Sequence, residues 1–222
     1  MSLIEELKKV LGDQNVLTGT DKERYSSDWL GQYRFEPLCV VRPASTKEVS
    51  KVVRLARSFQ VNIVPVGGNT GLNGGTHSDN AISISMERMN KICEIRLNSK
   101  IAIVEAGVIL TTLHQAVNEN DLMFPLTFGA RGSATIGGVL STNAGGSNVL
   151  KYGNTRDLVL GVEMVLPNGD IMNLMSELHK DNSGYCLRDL VIGAEGTLGI
   201  ITQAVLKLFP KPKADATAMV AV

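Results

Sequence analysis

Val61-Asn62-Ile63-Val64-Pro65-Val66-Gly67-Gly68-Asn69-Thr70-Gly71-Leu72-Asn73-Gly74-Gly75 passes from a β-branched run directly into five glycines within nine residues. The run over 61–66 reads as a strand. Glycine tolerates positive φ and lets a backbone approach a ligand with no Cβ between them. Successive N–H groups in such a turn form a nest suited to phosphate oxygens. A plain flexible turn between two strands would satisfy the same letters, so the surroundings have to decide. Upstream, Cys39-Val40-Val41-Arg42 reads as a buried strand ended by Pro43. Ser45 and Glu48 then form a capping box ahead of Val49, Val52, Val53, Ala56 and Phe59 at helical spacing. Strand, helix and strand are therefore expected over 39–66, with the glycines at the carboxyl end of the second strand.

Further out, Ser2 and Glu5 form another capping box before Ile4, Leu7, Val10 and Leu11. An irregular aromatic lead-in follows, with Tyr25, Trp29, Tyr33 and Phe35. Ile82 and Ile84 alternate with serines in a strand over 81–86, and 101–108 reads as another strand. Leu110, Leu113, Ala116 and Val117 mark a helix over 109–120. The runs 158–166 and 171–174 flank Pro167-Asn168-Gly169-Asp170, a hairpin signal in which Asn-Gly predicts a type I′ turn. A short helix over 184–192 and two strands over 197–202 and 204–209 complete the reading. The expected fold class is α+β: a helix and lead-in over 1–35, then two α/β lobes at about 36–105 and 106–213. The apolar segment 214–222 has nothing to pair with and reads as the start of a further domain.

Composition narrows the function. The 222 residues are 44% apolar and 20% charged, an ordinary globular balance. Twenty-two basic residues face 22 acidic ones, so the basic surplus of a nucleic-acid binder is missing. No apolar run reaches the ~18 residues of a transmembrane helix, and the start lacks a signal peptide's apolar core. Cys39, Cys93 and Cys186 form no close pair, which suits a reducing, cytoplasmic address. No zinc-type spacing of His, Cys, Asp or Glu occurs, so no metal is expected. Neither Gly-x-Gly nor Gly-Lys occurs, so the dinucleotide fingerprint and the Walker loop are both absent. His77, His114 and His179 read as a loop, a helix and a polar-segment residue rather than catalytic groups.

Two more glycine clusters exist. Pro125-Leu126-Thr127-Phe128-Gly129-Ala130-Arg131-Gly132-Ser133-Ala134-Thr135-Ile136-Gly137-Gly138 continues through Asn143, Gly145 and Gly146 to Tyr152 and Gly153. It holds seven glycines, and its only charges are Arg131 and Lys151. A segment this long without helix or strand is uncommon unless functional, and its N–H groups and short side chains can wrap a long polar ligand. The third cluster is Gly193-Ala194-Glu195-Gly196-Thr197-Leu198-Gly199-Ile200-Ile201-Thr202.

In this order the clusters closely resemble one family, the FAD-linked oxidases with a PCMH-type, vanillyl-alcohol-oxidase-like flavin domain, over about residues 36–213. Lys180-Asp181-Asn182-Ser183-Gly184-Tyr185 is similar to the 2-hydroxyacid branch of that family, which includes D-2-hydroxyglutarate dehydrogenase, D-lactate dehydrogenase and glycolate oxidase. The resemblance implies FAD lying between the two lobes. Pro65, Val66, Gly67, Gly68, Asn69, Thr70, Gly71 and Leu72 would hold the pyrophosphate, with Gly74 and Gly75 closing the turn. Pro125, Leu126, Ser133, Ala134, Thr135, Ile136, Gly137 and Gly138 would line the flavin and ribityl region. Asn143, Gly145, Gly146, Tyr152 and Gly153 would continue that wall, and Glu195, Gly196, Gly199, Ile200 and Ile201 would pack along the cofactor.

Members that tether FAD place a histidine where Asn69 and Thr70 stand, so non-covalent FAD is implied. Val66 departs from the arginine of many glycolate-oxidase-type members. The implied reaction moves hydride from a small D-2-hydroxy acid to FAD, the electron acceptor being open. The family's substrate arginine, catalytic histidine and metal ligands belong to a C-terminal portion. No catalytic residue is therefore expected before Val222, and the chain alone is expected to hold FAD weakly or not at all and to turn over negligibly. A homodimer is compatible with apolar surface left uncovered. Two alternatives stay open: an FAD-binding subunit that needs a separate catalytic partner, and a non-redox nucleotide-binding module.

Overall fold

The Ser2 hydroxyl accepts from the Glu5 amide while the Glu5 carboxylate accepts from the Ser2 amide, which fixes the start of α1 (Leu3–Leu11). The computed structural model describes residues 2–214 and 216–220. After α1 come β1 (Val16–Leu17), β2 (Cys39–Val41), α2 (Thr46–Ser58), β3 (Ile63–Val66) and β4 (Ile82–Ser85). They form a sheet of order β1-β2-β4-β3, in which β2 and β3 both run parallel to β4. Parallel neighbours need a crossover that covers the sheet, and α2 supplies it. Val49, Val52, Val53 and Ala56 pack on Cys39, Val41, Ile82 and Ile84. Leu7 and Leu11 of α1 join the same core, so the N-terminal helix is part of the first lobe's interior.

The second lobe begins with β5 (Ile92–Arg96), β6 (Ile101–Glu105), α3 (Leu110–Asn118) and β7 (Leu122–Met123). It continues with α4 (Ile136–Ser141), α5 (Val149–Tyr152), β8 (Val159–Val165), β9 (Ile171–Leu174), α6 (Leu187–Val191), β10 (Ile200–Lys207) and β11 (Phe209–Pro210). Its sheet, β5-β6-β10-β8-β9, is antiparallel throughout. Leu110 and Leu113 of α3 and Val139 and Leu140 of α4 cover one face, against Val104, Val162 and Ala204. Ala106, Val165 and Ile200 reach across into the first core.

Four local expectations change. Ile101–Glu105 pairs with Gln203–Lys207, so the sheets divide between β4 and β5, ahead of the expected division at 105/106. The two strands expected over 197–202 and 204–209 are one continuous strand, β10, plus the short β11; a bulge between Ile201 and Gln203 absorbs the irregularity. The hairpin forms, but with φ positive at Gly169 (+86°) and not at Asn168. Pro167 fixes a type I turn there, closed by Gly169 N–H to Leu166 O at 2.8 Å, and the left-handed glycine follows. Finally, 125–153 is broken by α4 and α5 rather than running as one open loop. Of the expected apolar tail 214–222, residues 215, 221 and 222 lie outside the described residues, and 216–220 carry no strand.

Candidate functional site

At the carboxyl end of β3 the chain leaves the sheet and crosses toward the second lobe, the usual place for a ligand in an open α/β sheet. Asn69, at φ +50°, donates from Nδ2 to Ser27 O (2.7 Å) and accepts at Oδ1 from the Thr76 hydroxyl (2.7 Å), pinning the loop to the lead-in. At Gly68 the loop touches the second lobe so closely that a Cβ would stand 1.9 Å from Ser133 O, so only glycine fits. The receiving segment is rigid. Ala134 O accepts from Leu110 N–H, while Ile136 and Gly137 N–H donate to Val108 O (2.9 Å) and Ala106 O (2.7 Å). The third cluster is tied to the second: Glu195 N–H donates to Ser141 O (2.9 Å), and Gly193 N–H to Leu140 O (3.0 Å). Asn143 Oδ1 accepts from Arg156 N–H (2.9 Å), and Arg156 Nη2 donates to Ile192 O (2.6 Å). Asn69, Asn143 and Glu195, one in each cluster, all hold left-handed φ.

Between the lobes lies a cavity of about 330 Å³. Sixteen of the 28 expected site residues line it: Pro65, Val66, Gly67, Gly68, Asn69, Thr70, Gly71, Gly75, Ala134, Thr135, Gly137, Gly138, Glu195, Gly199, Ile200 and Ile201. The other twelve lie off it, Gly74 among them, packed beside the Tyr33 ring. Leu72 points to solvent, whereas Leu126 and Ile136 are buried in the second lobe's core and Pro125 lends its carbonyl to Asn148. Ser133 seats Gly68, and Asn143 faces Arg156. Gly146 packs against the Thr127 carbonyl, where a Cβ would come within 2.3 Å, and Gly145 and Gly153 pack beside Asn154 and Asp157. Tyr152 meets the Phe209 ring edge-on at 4.8 Å, and Gly196 abuts the Pro65 ring. The lining also takes in Asn73, Thr76, Met86, Phe128, Val139, Ser141, Thr142 and Ala144. The small polar ones flank recognised motif letters; Met86, Phe128 and Val139 carried no signal apart from hydrophobicity.

Among the described residues Glu195 is the one charged residue of the lining, so the cavity is a nearly uncharged cleft. Among the described residues, no backbone N–H of residues 67–76 donates to another protein atom. Gly68, Asn69, Thr70, Gly74 and Thr76 are half-buried, so their unpartnered N–H groups are the ones placed to serve an acceptor from outside the chain, whereas the exposed residues between them face solvent. The histidines lie elsewhere. His77 pairs with Asp79 (3.0 Å), His179 meets Ser99 O, and the His114 ring contacts Leu126 O (2.9 Å). Burial holds the His114 ring below the usual imidazole range. Among the described residues no group of three or more His, Cys, Asp or Glu side chains could hold a metal, and no helix is long and apolar enough to cross a membrane.

Two α/β lobes closed around a glycine-walled cleft of free amides define a nucleotide-cofactor-binding domain. The chain belongs to the FAD binding domain family, whose model matches residues 37–175. It is 43% identical over 193 residues to D-2-hydroxyglutarate dehydrogenase of Xanthomonas citri pv. viticola, covering 86% of this chain and 41% of that one. It is 40% identical over 215 residues to glycolate oxidase subunit GlcD of Bacillus subtilis, covering 96% and 46%. A solved structure of alkyldihydroxyacetonephosphate synthase superposes with a TM-score of 0.85 at 26% identity, covering 96% of this chain and 41% of that one. The chain thus spans about two fifths of the length of such relatives. The α+β two-lobed fold and the cofactor, FAD, agree with the sequence reading. The residues also fit the cofactor: the loop that lines the cavity carries amides without a partner in the chain, the kind of donor a doubly charged pyrophosphate takes.

Proposed function

We propose that the cleft formed by residues 65–76, 133–144 and 195–201 holds FAD non-covalently, within a unit spanning about 36–213. We further propose that this chain is the cofactor-holding part of a flavin-dependent oxidoreductase acting on a small D-2-hydroxy acid. The observation that carries this reading is the run of free amides over 67–76. It supplies neutral donors to a pyrophosphate without a lysine or metal. Val66, Met86, Phe128 and Val139 offer apolar surface to the ring systems, and Ser141 and Thr142 offer hydroxyls to the polar connecting chain. Bound FAD supplies the hydride acceptor; the protein supplies position and shielding.

Among the described residues no His, Cys or Tyr lines the cleft, which supports a cofactor held without a covalent tether. Glu195 is its sole titratable side chain, so the base for the substrate hydroxyl and the cation for its carboxylate are assigned to parts of the protein outside this cleft. The names of the relatives, D-2-hydroxyglutarate dehydrogenase and glycolate oxidase subunit, support the substrate class. Three free thiols, of which Cys93 and Cys186 are exposed, support a reducing, cytoplasmic address. Leu150, Tyr185 and Leu190 are exposed apolar side chains that support contact with further protein, a second copy included.

The test is an equilibrium titration with FAD and, separately, with riboflavin, followed through the flavin band near ~450 nm and flavin fluorescence. Saturable binding of FAD with much weaker riboflavin binding is expected, because riboflavin lacks the pyrophosphate. Equal affinity for the two, or no saturable change with either, overturns the reading.

A further inference from the structure

We propose that Glu163 is a positioning residue that sets the separation of the two lobes, and so the width of the cofactor cleft, by accepting a hydrogen bond from one threonine of each lobe. The inference rests on the reading that this cleft holds FAD. Glu163 sits in β8 of the second lobe. Its Oε1 accepts from the Thr46 hydroxyl (2.5 Å), at the start of α2 in the first lobe, and from the Thr202 hydroxyl (2.9 Å), in β10, which also lies 3.2 Å from the Glu163 carbonyl. Both threonines are buried. Each lobe has its own hydrophobic core, and few apolar residues are shared between them. Polar contacts therefore carry much of the register between the lobes.

The contact belongs to a row. Thr46, Ser50 and Arg54 stand four residues apart on one face of α2. Ser50 donates to Gly169 O (2.5 Å), and Arg54 pairs with Asp170 (2.6 Å). The Arg54 pair is more than half exposed on both sides and contributes little. Ser50 meets the hairpin turn, far from the cleft. Glu163 is the member that reaches the cofactor wall. Thr202 directly follows Ile200 and Ile201, which line the cavity. The Thr202 carbonyl accepts from Ala106 N–H (2.9 Å), and the Ala106 carbonyl accepts from Gly137 N–H (2.7 Å), another lining residue. A shift at Glu163 therefore reaches the second-lobe wall through Thr202, Ala106 and Gly137; on the other side α2 packs on β2 and β4, and β4 pairs with β3, whose Pro65 and Val66 line the cavity.

Both hydroxyls converge on the same carboxylate oxygen, which makes a sharp test possible: glutamine keeps that acceptor, whereas alanine removes it and leaves Thr202 only the longer bond to the residue 163 carbonyl, so that the link to Thr46 is cut. We would measure the wild-type chain, Glu163→Gln and Glu163→Ala by FAD titration, by thermal unfolding, and by hydrogen exchange of the Ala106 and Gly137 amides without cofactor. In Glu163→Ala the expected loss of FAD affinity is about tenfold, the scale of one charge-assisted hydrogen bond, with faster exchange at both amides. Glu163→Gln is expected to restore both to near wild type. A Glu163→Ala chain that melts lower yet keeps its FAD affinity within about twofold would make the residue merely structural and overturn the proposal. So would a Glu163→Gln chain that behaves like alanine. A wild-type chain with no saturable FAD binding would instead refute the reading of the cleft, and the exchange rates would still decide whether Glu163 couples the lobes.

Discussion

Replacing Gly68 by alanine puts a methyl group where the first glycine loop meets the second lobe. Built on the existing backbone, that Cβ lies 1.9 Å from Ser133 O, 2.7 Å from Ser133 C and 3.1 Å from Ala134 Cα. An ordinary van der Waals contact begins near 3.4 Å, so the two backbones must part by about 1.5 Å (3.4 less 1.9). Ser133 cannot yield readily, because Ala134, Ile136 and Gly137 are bonded to Leu110, Val108 and Ala106. The loop of free amides therefore moves. Overpacking of this kind costs about 1–3 kcal/mol, which in a chain of this length lowers the melting temperature by roughly 2–12 °C. Displacing the amides weakens FAD binding as well, by about tenfold or more, since ~1.4 kcal/mol is a factor of ten. Thermal unfolding and FAD titration read the two effects. Gly129→Ala is the control: its Cβ meets nothing within 4 Å, and its melting temperature is expected to stay at the wild-type value. Should Gly68→Ala match wild type in both assays, the loop and the second lobe do not meet as described.

Three other outcomes follow from the geometry. Burial depresses the His114 ring, outweighing its hydrogen bonds to the Leu126 and Phe124 carbonyls. Stability it contributes is thus present above the ordinary imidazole value of about 6.5 and is lost as pH falls through the depressed one. Urea midpoints at pH 7.5 and 5.5 should fall less for His114→Gln than for wild type; an identical pH dependence counts against the assignment. Burial also pushes the Cys39 thiol up to about 11, so a thiol reagent should label exposed Cys93 and Cys186 in the folded chain and reach Cys39 only on unfolding. Fast labelling of all three thiols is the contrary result. At Asn143, with φ +46°, valine should destabilise by about 1–2 kcal/mol more than glycine in urea unfolding, and the reverse order would remove the left-handed assignment.

Much of the first lobe was legible because its signals are local. Ser45 and Glu48 lie three residues apart, and the helix, the following strand and the glycine run succeed one another without interruption. The cleft's backbone walls were legible for a similar reason, since a close approach leaves glycines in the sequence, as at Gly68. What stayed hidden depends on pairing across the chain. That β6 belongs to the second sheet follows only from its partnership with 203–207, about a hundred residues on. The bond of Thr46 to Glu163 spans 117 residues. β5 carries exposed Cys93 and Glu94 side by side, so it shows no clean alternation. Met86, Phe128 and Val139 line the cavity yet look like any core residue. Tyr152, Gly146 and Ile136 lie inside recognisable motifs but off the cavity, packed within the second lobe.

The central claim is that one interlobe cleft receives FAD on the free amides of 67–76. Hydrogen exchange of the whole chain, with and without saturating FAD, tests it residue by residue. Protection concentrated in 67–76, 134–139 and 199–202, with the outer helix faces unchanged, is the predicted result. Bound FAD that leaves the amides of 67–76 exchanging at their apo rate, or that protects a different surface, would contradict it.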